Sequence, residues 1–329
     1  MKAQKPCRLL ACIAVAGAWL CTAEAAAAPS GRAKTAIVPF ATAPFPFDGR
    51  PAPGQDKAFF DVEQEGRRGH TSPRGGIYWE DATYSDRRVL LHIPAGFDPG
   101  RPGLLVVYFH GNQATLERDV QGRQQVPRQV AQSGLNAVFV APQLAVDALD
   151  STPGRLYEPG HFRRFVEEAC AKLAKLHGDR RAARAIEALP VAIVAYSGGY
   201  YPTAWVLHHG GIGDRLRGVI LLDGLYSDHD KFVQWIARRE SAFFFSAYSR
   251  SARDENATLQ RLLKERNIDF ATELPARIRA GSVTFLATND EVQHKDFVTA
   301  AWVPDPLRAV LGRIADYQRA APPARKKQR

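Results

Sequence analysis

The sequence predicts an α/β protein built on a doubly wound, mostly parallel sheet of about eight strands. Three observations carry that prediction. Short, continuous apolar runs recur at 104–109, 137–141, 191–195, 218–222, 242–245 and 283–286, as expected of strands buried on both faces of a parallel sheet. Stretches of helical length separate them. One run, Val191 to Ala195, breaks at Ser197, Gly198 and Gly199 into a helical stretch at 200–207, where Pro202 sits in a first turn that does not need its N–H.

Residues 1–25 read as a secretion signal preceding the fold. Lys2, Lys5 and Arg8 form a basic start, Leu9 to Cys21 an apolar run short for a bilayer span, and Ala23-Glu24-Ala25 a small-x-small cleavage site. Three basic residues and one acidic residue leave with that segment, taking the formal net charge from +10 to +8. Of the 4 cysteines, Cys7, Cys12 and Cys21 leave as well. Cys170 is then alone, no internal disulfide can form, and stability must come from the core.

Residues 26–75 are rich in Pro, Gly, Ala and Arg, and read as an extended leader over the domain surface. Phe45, Phe47, Phe59 and Phe60 are costly to leave in water, so part of this leader is expected to pack. Residues 76–318 form the α/β domain. Its first two strands are expected at 76–84 and 88–93, joined by a turn at Ser85-Asp86. Helical stretches follow at 118–133 and 161–189, flanking the strand at 137–141. No segment is large enough for a second domain. Residues 319–329 are a basic tail, expected to be disordered and to make at most a weak electrostatic contact with an anionic envelope.

The chemistry concentrates at Ser197. A serine on a sharp strand-to-helix turn, with Ala195 and Gly199 two places to either side, has the form of a nucleophile elbow with alanine replacing the first glycine of G-x-S-x-G. The bend lifts Oγ clear of the backbone, and bulky side chains at the ±2 positions would collide across it. Gly198 leaves its N–H free to face a developing oxyanion near the positive end of the new helix.

The chain resembles the α/β-hydrolase family of serine hydrolases, in particular its esterases and polyester depolymerases. The residues that carry this are the run from Val89 to Asp98, the strand from Leu104 that ends in His110-Gly111-Asn112, and the serine elbow. The resemblance implies ester hydrolysis through a Ser-His-acid triad without a cofactor, and an oxyanion hole formed by the backbone N–H groups of Asn112 and Gly198. It implies that His110 braces its loop. The family's chain order of serine, acid, histidine points to His294, a few residues after the last strand, with His229 as its rival. For the acid it offers two places. Asp223 ends the strand at 218–222, while Asp254 stands in the first turn of a helix that Ser251 is expected to cap, where acidic residues have a use of their own. Asp223 is favoured.

Other chemistries find no support in the residues. His208 and His209 are neighbours that point apart on a helix, and Cys170 has no partner at ligand spacing, so no metal site is expected. No phosphate-binding or dinucleotide glycine pattern occurs, and no nucleic-acid partner is expected. The sequence therefore predicts an exported serine hydrolase cleaving a carboxylic ester, with the substrate left open. A peptidase or amidase on the same triad and a non-catalytic, envelope-binding hydrolase-like module are the alternatives.

Overall fold

The computed structural model describes residues 31–319 apart from residue 239. The expected secretion signal at 1–25 lies outside the described residues, as does all but the first residue of the basic tail. Among the described residues, eleven strands form two sheets: β1 Lys34–Pro39, β2 Val62–Gln64, β3 Arg67–Thr71, β4 Ile77–Trp79, β5 Arg88–Ile93, β6 Leu104–Phe109, β7 Ala137–Pro142, β8 Val191–Tyr196, β9 Leu216–Leu222, β10 Phe243–Tyr248 and β11 Val283–Ala287. The main sheet has eight strands in the order β1-β5-β7-β6-β8-β9-β10-β11. Only the pairings of β5 with β1 and β7 are antiparallel. Helices cover both faces, and this is the α/β-hydrolase fold.

The apolar runs are continuous because each strand feeds two cores. In β6, Leu105, Val107 and Phe109 face one side, where Phe162, Phe165 and Leu173 of the helix His161–His177 pack. Leu104, Val106 and Tyr108 face the other side, against Val126 and Val130 of Val126–Gln132 and Leu307 and Leu311 of Pro306–Leu311. The same period of two runs through β8 and β9. Burying each such side chain contributes roughly 1.5–3 kcal/mol against conformational entropy.

Two expected elements differ. Residues 76–84 do not form a strand of the main sheet: Ile77–Trp79 pairs with β3 in a separate three-stranded sheet, and Glu80–Thr83 is a helical turn. The place beside β5 belongs to β1, from the stretch expected to be an extended leader. Its apolar signal is weak because an edge strand is only partly covered, and Pro39 is tolerated at its end because few ladder bonds are needed there. The rest of that leader packs as its phenylalanines require, with Phe45 and Phe47 buried and Phe59 and Phe60 half-buried. The helical region at 161–189 is two helices, His161–His177 and Arg180–Glu187. Gly178 breaks them at φ 83°, and the Asp179 side chain caps the second by accepting from Arg181 N–H.

The sheet's register sets the site. β6 lies between β7 and β8, so the connections from β6 to β7 and from β7 to β8 run in opposite directions across the sheet, the arrangement that opens a crevice at the strands' C-terminal ends. Phe109 stands opposite Ala195, Tyr196 opposite Leu222, and Tyr248 opposite Ala287. The residues that follow these strands therefore emerge at one edge, about 5 Å apart from strand to strand.

Candidate active site

Ser197 leaves β8 with φ at 54°, a left-handed backbone that costs a non-glycine residue energy. The turn holds because its neighbours leave no room for another course. A Cβ at Gly199 would lie 2.3 Å from the Phe109 carbonyl oxygen, and one at Gly111 would lie 2.8 Å from Ser197 Cβ. The glycine two places after the serine is thus obligatory. Two places before it, the Ala195 methyl is accommodated in the core beside Leu221 and Phe109, which explains why alanine can stand there.

His294 follows β11 and opens the helical turn His294–Val298, which is fixed by a reciprocal cap between Gln293 and Asp296. Its Nε2 lies 2.7 Å from Ser197 Oγ and its Nδ1 lies 2.6 Å from Asp223 Oδ2. A neutral ring whose Nδ1–H donates to the carboxylate leaves Nε2 free to accept from the serine. Tyr196 stacks on the ring at 5.1 Å between centroids, and its hydroxyl donates to the His294 carbonyl at 3.2 Å. One turn of chain thus carries Ser197 and a floor for the imidazole.

Asp223 leaves β9 with φ at 45° and is fully buried. Besides His294, it accepts from Ser249 N–H at 2.7 Å, Ser249 Oγ at 2.9 Å and Ser251 Oγ at 3.0 Å. Burial alone would push the carboxyl up. The bonds from His294 and from the Ser249 amide and hydroxyl outweigh it and hold the carboxyl below its ordinary value. Tyr226 closes the far side, donating to the Asp223 carbonyl at 3.0 Å.

The alternative residues lie elsewhere. Asp254 is exposed in the first turn of Arg253–Lys264 and is not among the groups bonded to His294. Ser251 does not cap that helix. Its hydroxyl is turned to Asp223, and Ala252 occupies the cap position. His229 begins His229–Arg238 and pairs with Glu255 at 2.9 Å, away from Ser197.

Asn112 follows β6 and lies across Gly198: a Cβ on Gly198 would come 2.2 Å from the Asn112 side-chain amide and 2.4 Å from Ser151 Oγ. The Asn112 N–H has no carbonyl partner among the described residues. Gly198 belongs to the opening turn Ser197–Gly199, where the first amides lack intrahelical acceptors. His110 is buried and neutral, since burial pushes its imidazole below the ordinary value. Its Nε2 accepts from Leu144 N–H at 2.9 Å and it braces the loop.

Sequence reasoning missed the roles of Ser249, Ser251, Tyr196 and Tyr226 at this site. The Ser-x-Ser spacing directly after β10 is the one signal that marks any of them. Among the described residues, no group of three or more His, Cys, Asp and Glu side chains converges as a metal would require, and no helix is long and apolar enough to cross a membrane.

No family model and no curated protein matches the chain. Among solved structures it is similar to the feruloyl esterase module from Clostridium thermocellum in complex with sinapinate, at 12% identity and a TM-score of 0.45, covering 78% of this chain and 90% of that one. It is similar to an S-formylglutathione hydrolase from Agrobacterium tumefaciens at 12% identity and a TM-score of 0.43, covering 77% and 98%. It is also similar to a dienelactone hydrolase from Anabaena variabilis at 13% identity and a TM-score of 0.38, covering 68% and 87%. The chain's own strand order, parallel apart from the pairings of β5, gives it the α/β-hydrolase fold.

Proposed function

We propose that this chain is an exported serine hydrolase that cleaves a carboxylic ester through an acyl-enzyme. The observation that carries the reading is the continuous hydrogen-bonded chain from Ser197 Oγ through His294 to the buried Asp223. In this reading Ser197 Oγ attacks the ester carbonyl while His294 Nε2 takes its proton. The tetrahedral oxyanion lies against the N–H groups of Asn112 and Gly198, each removing about 3 kcal/mol of barrier. His294 then returns the proton to the departing alkoxide, and water attacks the acyl-enzyme by the same steps in reverse. Asp223 holds the Nδ1–H tautomer and stabilises the imidazolium as it forms.

An activated serine should label with a fluorophosphonate probe, and Ser197→Ala should abolish labelling while leaving the melting temperature near that of the wild type. Equal labelling of the variant would remove Ser197 as nucleophile. A panel of ethyl esters of increasing chain length then reports the acyl preference. Export is part of the same proposal and rests on residues 1–25. Mass spectrometry of the protein recovered from outside the cytoplasm should place its first residue near Ala26, and an intact Met1 there would refute it. The basic residues at 319–329 are proposed to add a weak, salt-sensitive attraction to an anionic envelope.

A further inference from the structure

The three-stranded sheet β2-β3-β4 has no part in the serine chemistry, yet its turn between β3 and β4 reaches the site. That turn is well tied: Ser72 is buried, its N–H donates to the Gly76 carbonyl at 3.0 Å, and its hydroxyl accepts from Arg74 N–H at 3.2 Å. Arg74 is presented at the exposed tip. With the Asn112 amide nitrogen donating to the Asp150 carbonyl at 3.0 Å and to Ser151 Oγ at 2.9 Å, its carbonyl oxygen accepts from Arg74 Nη1 at 3.2 Å. The Asn112 side chain lies over Gly198, so Arg74 stands one side chain away from Gly198, whose N–H the oxyanion would face.

What sets this arginine apart is its charge balance. Arg67 and Arg68, on the same hairpin, fork onto the carboxylates of Asp81 and Glu80. Arg74 forms no ion pair with a carboxylate among the described residues, and its guanidinium hydrogen-bonds a neutral amide. The acidic side chains around the crevice are otherwise engaged. Asp150 accepts from the Tyr84 hydroxyl at 2.5 Å and from Thr152 N–H at 2.7 Å. Asp228 pairs with Lys231 at 2.7 Å and accepts from Ser227, whose hydroxyl also bonds Tyr200 at 2.9 Å. An unpaired planar fork beside a nucleophile is matched in shape and charge by a carboxylate.

We propose that Arg74 is a specificity-determining residue that selects esters bearing a second, ionised carboxylate. The inference rests on the ester-hydrolase reading of Ser197. The substrate's free carboxylate would pair with the guanidinium while its ester carbonyl faces Ser197, and no further reactant is required.

The test compares the half-esters monoethyl succinate, glutarate and adipate with their diethyl esters, by titrating the acid released by the full-length protein. At least one half-ester should show a higher kcat/KM than its diester. In Arg74→Gln that ratio should fall tenfold or more, mostly through KM, and Arg74→Lys should fall between the two because it keeps the charge and loses the fork. Raising salt to about 0.5 M should lower the wild-type ratio, since the pair is open to solvent. An unchanged ratio in Arg74→Gln, or a parallel loss on half-esters and diesters, would overturn the inference. Diester turnover and probe labelling of Ser197 would in those cases leave the hydrolase reading standing. Failure of the wild type both to label and to turn over either ester class would overturn that reading and this inference together.

Discussion

Replacing Asp223 by asparagine removes one charge and swaps one acceptor for a donor, and the site dictates which way the amide must lie. Oδ1 accepts from the buried Ser249 N–H at 2.7 Å, a donor that cannot turn away. The hydroxyls of Ser249 and Ser251, which face Oδ2 at 2.9 and 3.0 Å, can rotate to accept instead. An asparagine therefore keeps its oxygen at the Ser249 amide, because leaving that N–H against an NH2 group would cost about 1–3 kcal/mol. Its nitrogen then faces His294 Nδ1, now 2.6 Å from the carboxylate. The ring must answer with Nε2–H, which points a proton at Ser197 where a lone pair is needed. In the charge ledger, a carboxylate about 4 Å from the imidazolium contributes about 4 kcal/mol at an effective dielectric of about 20. Either effect alone corresponds to about 10³-fold or more in kcat. Asp223→Asn should therefore lose about 10³–10⁴ in kcat with little change in KM, measured on a short-chain ethyl ester beside a thermal melt that reports folding. Asp254→Asn should lose less than tenfold. If turnover survives in the Asp223 variant or collapses in the Asp254 variant, the proposed role of this carboxylate is wrong.

The depressed Asp223 carboxyl also links folding to pH. Its contribution to stability is complete above the ordinary aspartate value and is lost as pH falls through the lower folded value, so the wild-type melting temperature should drop in that acid window and Asp223→Asn should drop less. Equal acid sensitivity in both would count against the linkage. Gly199→Ala forces a methyl to 2.3 Å from the Phe109 carbonyl and should cost about 1–3 kcal/mol in urea unfolding, an undiminished midpoint refuting the packing argument. Cys170 is buried and free, with its thiol pushed up by burial, so the melting temperature of the monomer should not change with reductant.

The parallel core was legible because two-faced burial leaves a simple trace. A strand covered on both sides is apolar at every position, and β6, β7 and β8 each show that run between helical stretches. The elbow was equally plain, since a serine followed by two glycines at the end of such a run is hard to place otherwise. Edges leave no comparable trace. β1 is half-exposed, contains Lys34 and Thr35 and ends at Pro39, so its pattern resembles a loop, whereas 76–84 carries apolar residues that serve a different sheet. The number of main-sheet strands was thus predicted with one member misplaced.

The positions of residues relative to Ser197 divide the same way. Local sequence determines that Asp223 terminates an apolar strand and that Asp254 opens a helix, because strand ends and helix starts are properties of a few neighbouring residues. Which of the two meets His294 depends on β9 lying directly beside β8 with Tyr196 opposite Leu222, a pairing between residues far apart in the chain. The Ser249 and Ser251 hydroxyls at Asp223, the Tyr196 ring under His294 and the reach of Arg74 to Asn112 are decided similarly. Each joins segments whose approach is set by sheet register and by the packing of the two cores. No periodicity within any one segment encodes that approach, because the free energy that fixes it is shared across the whole fold.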